Sequence, residues 1–383
     1  MLRVNLVHQA LPAYRVPVWR ELARRPGIDL TVLHARHPKL GSVEPDGFRA
    51  QRIRDLSPDP IQMMAYPRLL GLASRSVSDV LVATWTLRSA LLVPALLRAR
   101  ASGVGTVLWG HGYSKQERPS KLWLRERQGR LADALVFYDE RTAEGFRARH
   151  PGYPGAFVAG NTLDLEAIEA ARARSAADPE GARRVREELG LADGGPSPER
   201  GPVTLHVSRL HDDNGVDLLV EATARVEGMV SLVVGAGPRE GDLRRLAERL
   251  GVGGRVRFLG DRYSEDELAP LFGVADLFVY PRNIGLSGIH ALAHGVPVVT
   301  GDDLPSHNPE VHAIEDGVNG ALFRHDDAEA LAETLRRLHR SPGSLAALAE
   351  RARANVHRDF PLGRMVDGLE AAIRFAADRR DRA

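Results

Sequence analysis

The sequence predicts an α/β protein built from two doubly wound parallel sheets. Short runs rich in Val, Leu and Phe alternate with longer amphipathic stretches along most of the 383 residues. This alternation of strands and helices is typical of parallel sheets with helices on both faces. It stops once, in a polar stretch at residues 175–202, and then resumes. Because an average domain has about 150 residues, the length favours two or three domains.

The first half of the chain supplies the elements of one such domain. Strands are predicted at residues 2–7, 29–34, 79–83, 105–109, 134–138 and 155–159. Helices are predicted at residues 16–25, 88–100, 121–132 and 140–149. The polar stretch at 175–202 contains only a short helix candidate at 182–189, so we interpret it as the junction. The first domain is therefore predicted to cover residues 1–180.

After the junction the pattern restarts. Strands are predicted at residues 203–207, 230–234, 255–259, 276–280 and 297–300, with helices at 215–226, 239–250, 264–275 and 286–294. Long helices follow at 327–339, 344–355 and 361–378. We predict a second domain over residues 181–360 and a last helix, within 361–383, that crosses back to the first domain. The two Rossmann-like domains are expected to face each other across a cleft.

Composition excludes several classes of protein. The chain has no cysteine, which rules out disulfide frameworks, thiolate metal sites and cysteine nucleophiles. All but three of the 52 basic residues are arginine and acidic residues are interleaved with them, so the concentrated basic face of a nucleic-acid binder is missing. Asn5, His8 and Gln9 interrupt the apolar run that a signal peptide needs. We expect a cytoplasmic protein, with peripheral membrane contact left open.

Polar residues and glycines cluster directly after the predicted strands. Ligands of open parallel sheets bind beyond the carboxyl ends of the strands, so these residues form the candidate site. In the first half they are His8, Gln9, Trp85, His111 and Asn161. In the second half they are Ser208, Arg209, the glycines at 235 and 237, Arg262 and residues 282–287. Such a distribution is typical of an active site between two domains.

Two features of the second half suit a phosphate group. The planar guanidinium of Arg209 can make bidentate phosphate contacts, although an ion pair with Asp212 or Asp213 is an alternative. The helix predicted from residue 286 would direct its first N–H groups and positive dipole end toward an anion. The GAG turn at 235–237 lacks the third small residue of a dinucleotide fingerprint, so a tight strand–helix turn is as good an explanation as a phosphate loop.

A continuous series of motifs covers residues 203–323. They are VSRLHDDNGVDLLVEA (207–222), VVGAGPREGDL (233–243), RVRFLGDRYSEDEL (255–268), ADLFVYPRNIGLSGIHALAHGVPVVT (275–300) and PEVHAIEDGVNGALF (309–323). In this order they resemble the donor-binding half of GT-B glycosyltransferases of the retaining family 4. WGHG (109–112), ADALVFY (132–138) and FVAGNTLD (157–164) extend the resemblance into the first half. The resemblance implies a hexosyltransferase that uses a nucleotide-diphosphate sugar and needs no metal or other cofactor.

The resemblance also implies roles for single residues. Arg209 would stabilise the diphosphate of the donor, and His111 would lie near the donor sugar, so both are expected to be catalytic. Further donor contacts are expected from Ser208, Gly237, Arg262, Arg282, Asn283, Gly285, Leu286, Ser287, His290 and Glu310. The acceptor is expected to contact His8, Gln9, Tyr14, Trp85 and Asn161, with Trp85 offering a stacking face for a sugar ring.

Two positions depart from the family pattern. The family usually has a Glu-x7-Glu pair, and this chain has Arg282 and His290 at those positions. The lysine that usually follows the arginine is Asn214 here. The surrounding NIGLSGIHALAHGVPV resembles a branch with His at the second position, so we expect His290 to contact the donor, while Glu310 is an alternative partner for the ribose. His294 is expected only to stabilise the C-terminal end of its helix.

Two further features of the sequence bear on metal binding and on membrane contact. The spacing of His, Asp and Glu along the chain indicates no metal site. Residues 115–130, KQERPSKLWLRERQGR, mix basic residues with Leu122, Trp123 and Leu124. This segment fits an anionic membrane surface if the acceptor is lipid-linked, but a solvated helix face packed partly on the domain is the favoured interpretation.

The sequence therefore predicts a GT-B glycosyltransferase that moves a sugar from a nucleotide-diphosphate donor, with retention of configuration. Its acceptor is a glycan or a small natural product, and the nucleobase, the sugar and the oligomeric state are left open. One alternative is another GT-B enzyme, such as a sugar-nucleotide epimerase. Because the Glu pair and the lysine are missing, a catalytically silent protein that binds nucleotide sugars for a partner transferase is a second alternative.

Overall fold

A computed structural model describes residues 1–37, 41–57, 63–113, 115, 118–191 and 200–381. The chain divides into two compact units, of which the first comprises Met1–Leu163 and Leu362–Ala383 and the second comprises Asp164–Pro361. Each unit contains one parallel sheet. The predicted fold class of two parallel-sheet Rossmann-like domains is confirmed. The cleft expected between the two domains stays a prediction.

The first sheet has, within the described residues, seven parallel strands in the order β3-β2-β1-β4-β5-β6-β7. They are β1 (Leu2–His8), β2 (Ile28–His34), β3 (Arg49–Arg52), β4 (Val80–Thr84), β5 (Gly105–Trp109), β6 (Ala134–Phe137) and β7 (Ala156–Val158). Every residue of β5 and β6 is buried, because helices cover both faces of the sheet. Such strands are continuously apolar in sequence, which is why they could be predicted.

In the described part of this unit, five helices connect the strands. They are α1 (Val16–Ala23), α2 (Arg68–Leu72), α3 (Leu92–Ala101), α4 (Pro119–Gly129) and α5 (Glu140–Arg149). The Asp139 side chain accepts a hydrogen bond from the Thr142 N–H and so caps α5. The other side of the sheet is covered by α1 and by the last helix of the chain, described below.

The second sheet has six parallel strands among the described residues, in the order β10-β9-β8-β11-β12-β13. They are β8 (Val203–Val207), β9 (Val230–Val234), β10 (Val256–Phe258), β11 (Leu277–Val279), β12 (Val298–Gly301) and β13 (Gly320–Phe323). The strand order changes direction at β8, with β9 on one side and β11 on the other. Residues that follow β8, β9 and β11 therefore meet at one edge of the sheet, where open parallel sheets bind ligands.

The remaining helices complete the chain. They are α6 (Leu165–Ala176), α7 (Pro179–Glu188), α8 (Val216–Arg225), α9 (Glu240–Arg249), α10 (Glu265–Val274), α11 (Leu286–Ala293), α12 (Ala328–His339), α13 (Pro342–Asp359) and α14 (Leu362–Asp381). Ser264 and Glu267 form a capping box that fixes the start of α10. Among the helices in the described ranges, none is both long and apolar enough to cross a membrane.

The last helix, α14, belongs to the first unit although it follows the second in sequence. Its apolar face is fully buried against the first sheet, with Met365, Leu369, Ile373 and Ala376 at its centre. A Cβ on Gly105 would lie 2.7 Å from the Ala376 carbonyl oxygen, so a glycine at this position lets the helix backbone rest on β5. The chain thus leaves the first unit and returns to complete its core.

The boundary between the units lies earlier than the predicted division after residue 180. Helices α6 and α7 pack on α10 of the second unit, so the chain has joined that unit before the polar junction begins. Helices α2 and α6 and strands β3 and β13 were not predicted from the sequence. The strand β3 has the polar sequence RAQR and is mostly exposed at the sheet edge, which removes the apolar signal. Most of the junction, residues 192–199, lies outside the described residues.

Candidate functional site

The carboxyl ends of β10, β9, β8 and β11 are neighbours along one edge of the second sheet. Ser208 and Arg209 follow β8, Gly237 lies in the turn after β9, Arg262 follows β10, and Arg282 follows β11. The residues predicted from sequence to contact the donor therefore lie at a common edge of this unit.

A hydrogen-bond network fixes the loop after β8. The Nδ1 atom of the buried His206 lies 2.9 Å from the Val279 carbonyl oxygen and donates to it. The unprotonated Nε2 then accepts from the Ser208 hydroxyl at 2.7 Å. The Asn214 amide donates to Ser208 Oγ at 3.1 Å and to the Arg209 carbonyl at 2.5 Å. Since burial lowers the pKa of His206 to about 4, the ring is neutral at pH 7 and the network is intact.

The turn after β9 lies so close to the loop after β8 that two of its positions must be glycine. Gly235 has φ of +122°, and a Cβ there would lie 1.8 Å from the Ser208 carbonyl oxygen. A Cβ on Gly237 would lie 2.3 Å from the Leu210 carbonyl oxygen. Packing alone thus explains the GAG sequence as a tight strand–helix turn. Contact of Gly237 with a phosphate stays a prediction.

The Arg209 side chain is exposed at this edge. Burial raises the pKa of Tyr280 to about 12, and both the Ser208 hydroxyl and the positive charge of Arg209 oppose that rise. The positive charge of Arg209 therefore acts on Tyr280, the residue that directly follows β11. The two carboxylates named as alternative partners also have other contacts, because Asp212 pairs with Arg239 and Asp213 accepts from the Asn283 amide at 3.0 Å.

Arg282 is held by two carboxylates. Its guanidinium forms ion pairs with Asp217, at 3.0 Å, and with Asp326. Burial by itself would lower the pKa of Arg282, but the two carboxylates outweigh burial and raise this pKa. Its charge is therefore shared within the protein, which suits a residue that holds the loop after β11 in place.

The start of α11 is shaped by its neighbours. Asn283 has a left-handed backbone with φ of 57°, and the Asn308 amide donates to its carbonyl at 3.1 Å. The Ile284 N–H donates to Nδ1 of His307 at 3.1 Å. Gly285 then precedes the helix, and Leu286 and Ser287 in its first turn are partly exposed. The first N–H groups of a helix have no partner within it, so this end suits an anion.

His290 is buried one turn into α11. Its Nε2 atom lies 2.9 Å from a carboxylate oxygen of Glu265, the first residue of α10. His294 lies 3.4 Å from the same oxygen and stacks on Phe272 at 4.3 Å. Burial tends to raise the pKa of Glu265, but the two histidines outweigh it and lower the value to about 2. His294 thus belongs to a Glu–His network, whereas we had expected only a helix-end role.

The same three side chains form a candidate metal-ligand set. Glu265, His290 and His294 offer one ligand atom each, all within 4.8 Å of one another. A metal on the Nε2 atom of His294 would move the proton to Nδ1, which is buried and has no acceptor among the described residues. Histidines that ligate metals ordinarily donate this N–H to an acceptor. The surroundings therefore favour a hydrogen-bonded network, and metal-free chemistry stays a prediction.

Glu310 and Arg262, two further residues predicted to contact the donor, differ in their exposure. Glu310 is buried in a 3-10 turn, Pro309–Ala313, that packs on α11. Arg262 is exposed beside Glu267, with 3.5 Å between the charged groups. Contact of either residue with the donor stays a prediction.

In the first unit, the predicted residues follow the ends of three strands. His8 ends β1, its Nδ1 donates to the Ala10 carbonyl at 2.8 Å, and burial lowers its pKa to about 4. His111 follows β5, is exposed, and its ring lies 4.7 Å from the ring of Tyr138. The buried Asn161 donates its backbone N–H to the Tyr138 carbonyl at 3.4 Å.

Arg15, which lies among the aromatic rings of Tyr14, Trp109 and Tyr138, was not predicted from the sequence. Its side chain is only 3% exposed, and its guanidinium lies 4.8 Å from the ring of Trp109 and 5.3 Å from that of Tyr138. One nitrogen also donates to the Tyr138 hydroxyl at 3.1 Å. The neighbouring Tyr14 is exposed and Gln9 is partly exposed. The sequence signal that could have indicated Arg15 is its position as the one charged residue in the otherwise apolar segment YRVPVW (14–19).

Trp85 does not provide the expected stacking face. It is 3% exposed and packs edge-on against Phe137 and Phe146 in the core. A Cβ on Gly129 would lie 2.6 Å from its ring, so α4 covers it closely. Side chains of β6 and α5 and the backbone of α4 thus enclose the ring, and we remove this residue from the acceptor side.

Comparisons with known proteins agree with the fold. Residues 201–341 match the family model described as "Glycosyl transferases group 1". The lipopolysaccharide core biosynthesis glycosyltransferase LpsE of Rhizobium meliloti is 30% identical over 167 residues, which cover 43% of this chain and 47% of LpsE. The GDP-mannose-dependent alpha-(1-6)-phosphatidylinositol monomannoside mannosyltransferase of Mycolicibacterium smegmatis is 29% identical over 273 residues, which cover 68% of this chain and 66% of that protein.

Among solved structures, HepE of Anabaena in complex with UDP is similar over the whole chain. The TM-score is 0.72 at 18% identity, and the match covers 98% of this chain and 100% of HepE. At this identity the likeness concerns the fold. The chain spans about half the length of the first relative, LpsE. Residues 201–341 are thus similar to the glycosyl transferases group 1 family, and the chain as a whole has the two-domain GT-B fold.

Proposed function

We propose that the protein is a glycosyltransferase that moves a sugar from a nucleotide-diphosphate sugar to an acceptor, with retention of configuration. The family match over residues 201–341 carries this proposal, because it covers the strand ends where Arg209 and the start of α11 lie together. Relatives over this region are named glycosyltransferases, and HepE was solved with UDP. No transmembrane helix is needed for such an enzyme, and we propose that it acts in the cytoplasm.

The diphosphate would be held by Arg209 and by the first N–H groups of α11. Negative charge develops on the departing phosphate oxygen as the sugar–phosphate bond breaks, and donors that are already in place stabilise it without reorganisation. The His206–Ser208–Asn214 network fixes the backbone of Arg209, so that this residue is already in place when the bond breaks. Because Arg282 is paired with Asp217 and Asp326, we assign it to loop geometry and leave the charge to Arg209.

Retention follows if the acceptor attacks from the face that the diphosphate leaves. The departing phosphate oxygen would take the acceptor proton, so no enzyme nucleophile is required. The residues proposed to hold the acceptor are His8, Gln9, Tyr14 and Asn161, of which Tyr14 is exposed. His111, which is also exposed, is proposed to lie near the donor sugar. LpsE acts in lipopolysaccharide core synthesis by its name, which favours a glycan acceptor over a small natural product.

The first test is a thermal-shift screen with UDP, GDP, dTDP, ADP and CDP and their common sugars, in the presence of EDTA. A ligand at about 100 times its Kd adds roughly 2.7 kcal/mol to the stability of the state that binds it. We expect one base to stand out, followed by sugar transfer from that donor. If none of the ligands shifts the transition, the donor site does not exist and the proposal fails.

One observation favours a second candidate, a catalytically silent protein that binds nucleotide sugars. Positions 282 and 290 carry Arg and His where the family usually has two carboxylates, and Arg282 is already neutralised. This candidate predicts donor binding with neither hydrolysis nor transfer when cell extract supplies acceptors. Interconversion of a nucleotide sugar without any acceptor would instead identify an epimerase.

A further inference from the structure

The outward face of α4 combines exposed apolar and basic side chains. Trp123 is 60% exposed and Leu124 is 49% exposed, although both are large hydrophobic residues. Lys121 and Arg127 are exposed on the same helix, and the Arg127 guanidinium lies 5.3 Å from the Trp123 ring. Side chains of this kind are ordinarily buried or placed where one end meets an apolar phase and the other meets water.

The inward face of α4 fixes the helix in this orientation. Glu126 is buried and accepts from Arg149 at 2.9 Å, and its other oxygen lies 3.0 Å from Nε2 of His150. Gly129 packs directly on the ring of Trp85. Glu126 is the single acidic residue between positions 118 and 130, and its carboxylate is therefore paired inside the unit and does not lie on the outward face. The basic residues of this segment, by contrast, include the exposed Arg118, Lys121, Arg127 and Arg130.

We propose that the outward face of α4 docks the protein on an anionic membrane surface. Trp123 and Leu124 would enter the interface between headgroups and acyl chains, and the basic residues around them would contact the lipid phosphates. Charge complementarity selects this occupant. A second copy of the chain would bring two basic faces together, which like-charge repulsion opposes. The proposal does not depend on the sugar-transfer activity.

Trp123 also makes the proposal directly measurable. Of the four tryptophans, Trp19, Trp85 and Trp109 are buried in the first unit and only Trp123 is exposed. Vesicles of phosphatidylcholine with about 30% phosphatidylglycerol should shift the emission of Trp123 to the blue, and brominated acyl chains should quench it. Pure phosphatidylcholine vesicles should cause neither change, and high salt should release the protein.

Charge reversal at Lys121→Glu and Arg127→Glu together tests the electrostatic half of the contact. Each basic residue near an anionic surface contributes about fivefold to partitioning, so the double variant should bind at least about tenfold more weakly in vesicle sedimentation. Trp123→Ser should bind more weakly without changing the salt dependence. The matched control is Arg249→Glu with Leu250→Ser, an exposed basic and apolar pair at the end of α9, which should bind like the wild type.

Three results would overturn the proposal. One is Trp123 emission that stays unchanged with saturating anionic vesicles. Another is vesicle binding that persists in the double charge-reversal variant, because the contact would then lie elsewhere. The third is self-association in sedimentation velocity that Trp123→Ser abolishes, which would make α4 an interface between copies. Circular dichroism of each variant establishes that it is folded.

Discussion

Acid should destabilise the second unit through His206. This side chain is fully buried, and burial lowers its pKa from 6.5 to about 4. Between pH 6.5 and pH 4, His206 is protonated in the unfolded chain but stays neutral in the folded unit. The free energy of unfolding therefore decreases as the pH is lowered through this range. The loss at full protonation is about 3 kcal/mol, and about 2 kcal/mol of it is already present at pH 5.

Hydrogen exchange measured by mass spectrometry on peptides from β8 and β11 reports this loss. Tryptophan fluorescence does not, because all four tryptophans lie in the first unit. His206→Asn keeps a donor for the Val279 carbonyl but cannot take up a proton, so its loss between pH 7.5 and pH 5 should be smaller by about 2 kcal/mol. Ser208→Ala is the control, since it leaves His206 able to titrate and should retain the full loss. Equal acid sensitivity in wild type and His206→Asn would refute the reasoning.

Three further predictions concern other parts of the molecule. Arg209→Ala should cut turnover at least about tenfold, while Arg249→Ala on α9 leaves it unchanged; wild-type rates in Arg209→Ala would refute the donor-site assignment. Asp133→Ala should cost the first unit about 3 kcal/mol in urea unfolding followed by tryptophan fluorescence, because the Thr106 backbone N–H, the Thr106 hydroxyl and Arg380 all donate to its buried carboxylate. Turnover should be the same with and without EDTA, and a loss that Zn²⁺ restores would instead make Glu265, His290 and His294 metal ligands.

The central strands were predictable because burial on both faces leaves continuous apolar runs. Strands β8 and β9 match their predicted ranges, and β5 does as well. The edge strand β3 was not predictable, since only one neighbour pairs with it and its side chains are polar. The domain boundary was misjudged for a related reason. Composition marks where a chain is polar, whereas the boundary depends on which unit a helix such as α6 packs in.

The position of site residues along strands was also predictable, but their partners were not. The rule that ligands bind at carboxyl strand ends located Ser208, Arg209 and His111 correctly at such ends. It could not tell that the side chain of Trp85, the first residue after β4, turns into the core. Nor could it find Arg15, whose importance comes from the rings of Trp109 and Tyr138, which are distant in sequence.

The Glu–His network changes how the missing family carboxylates should be weighed. Along the sequence, His290 replaces an acidic residue and the site loses a negative charge. In the structure, Glu265 brings a carboxylate to within 2.9 Å of His290 from a different helix, and its lowered pKa keeps it ionised at neutral pH. The charge is therefore present at this edge although the motif lacks it. Part of the case for a catalytically silent protein came from that apparent loss. The remaining departures on which that alternative depends are the paired Arg282 and the Asn214 that replaces the family's lysine.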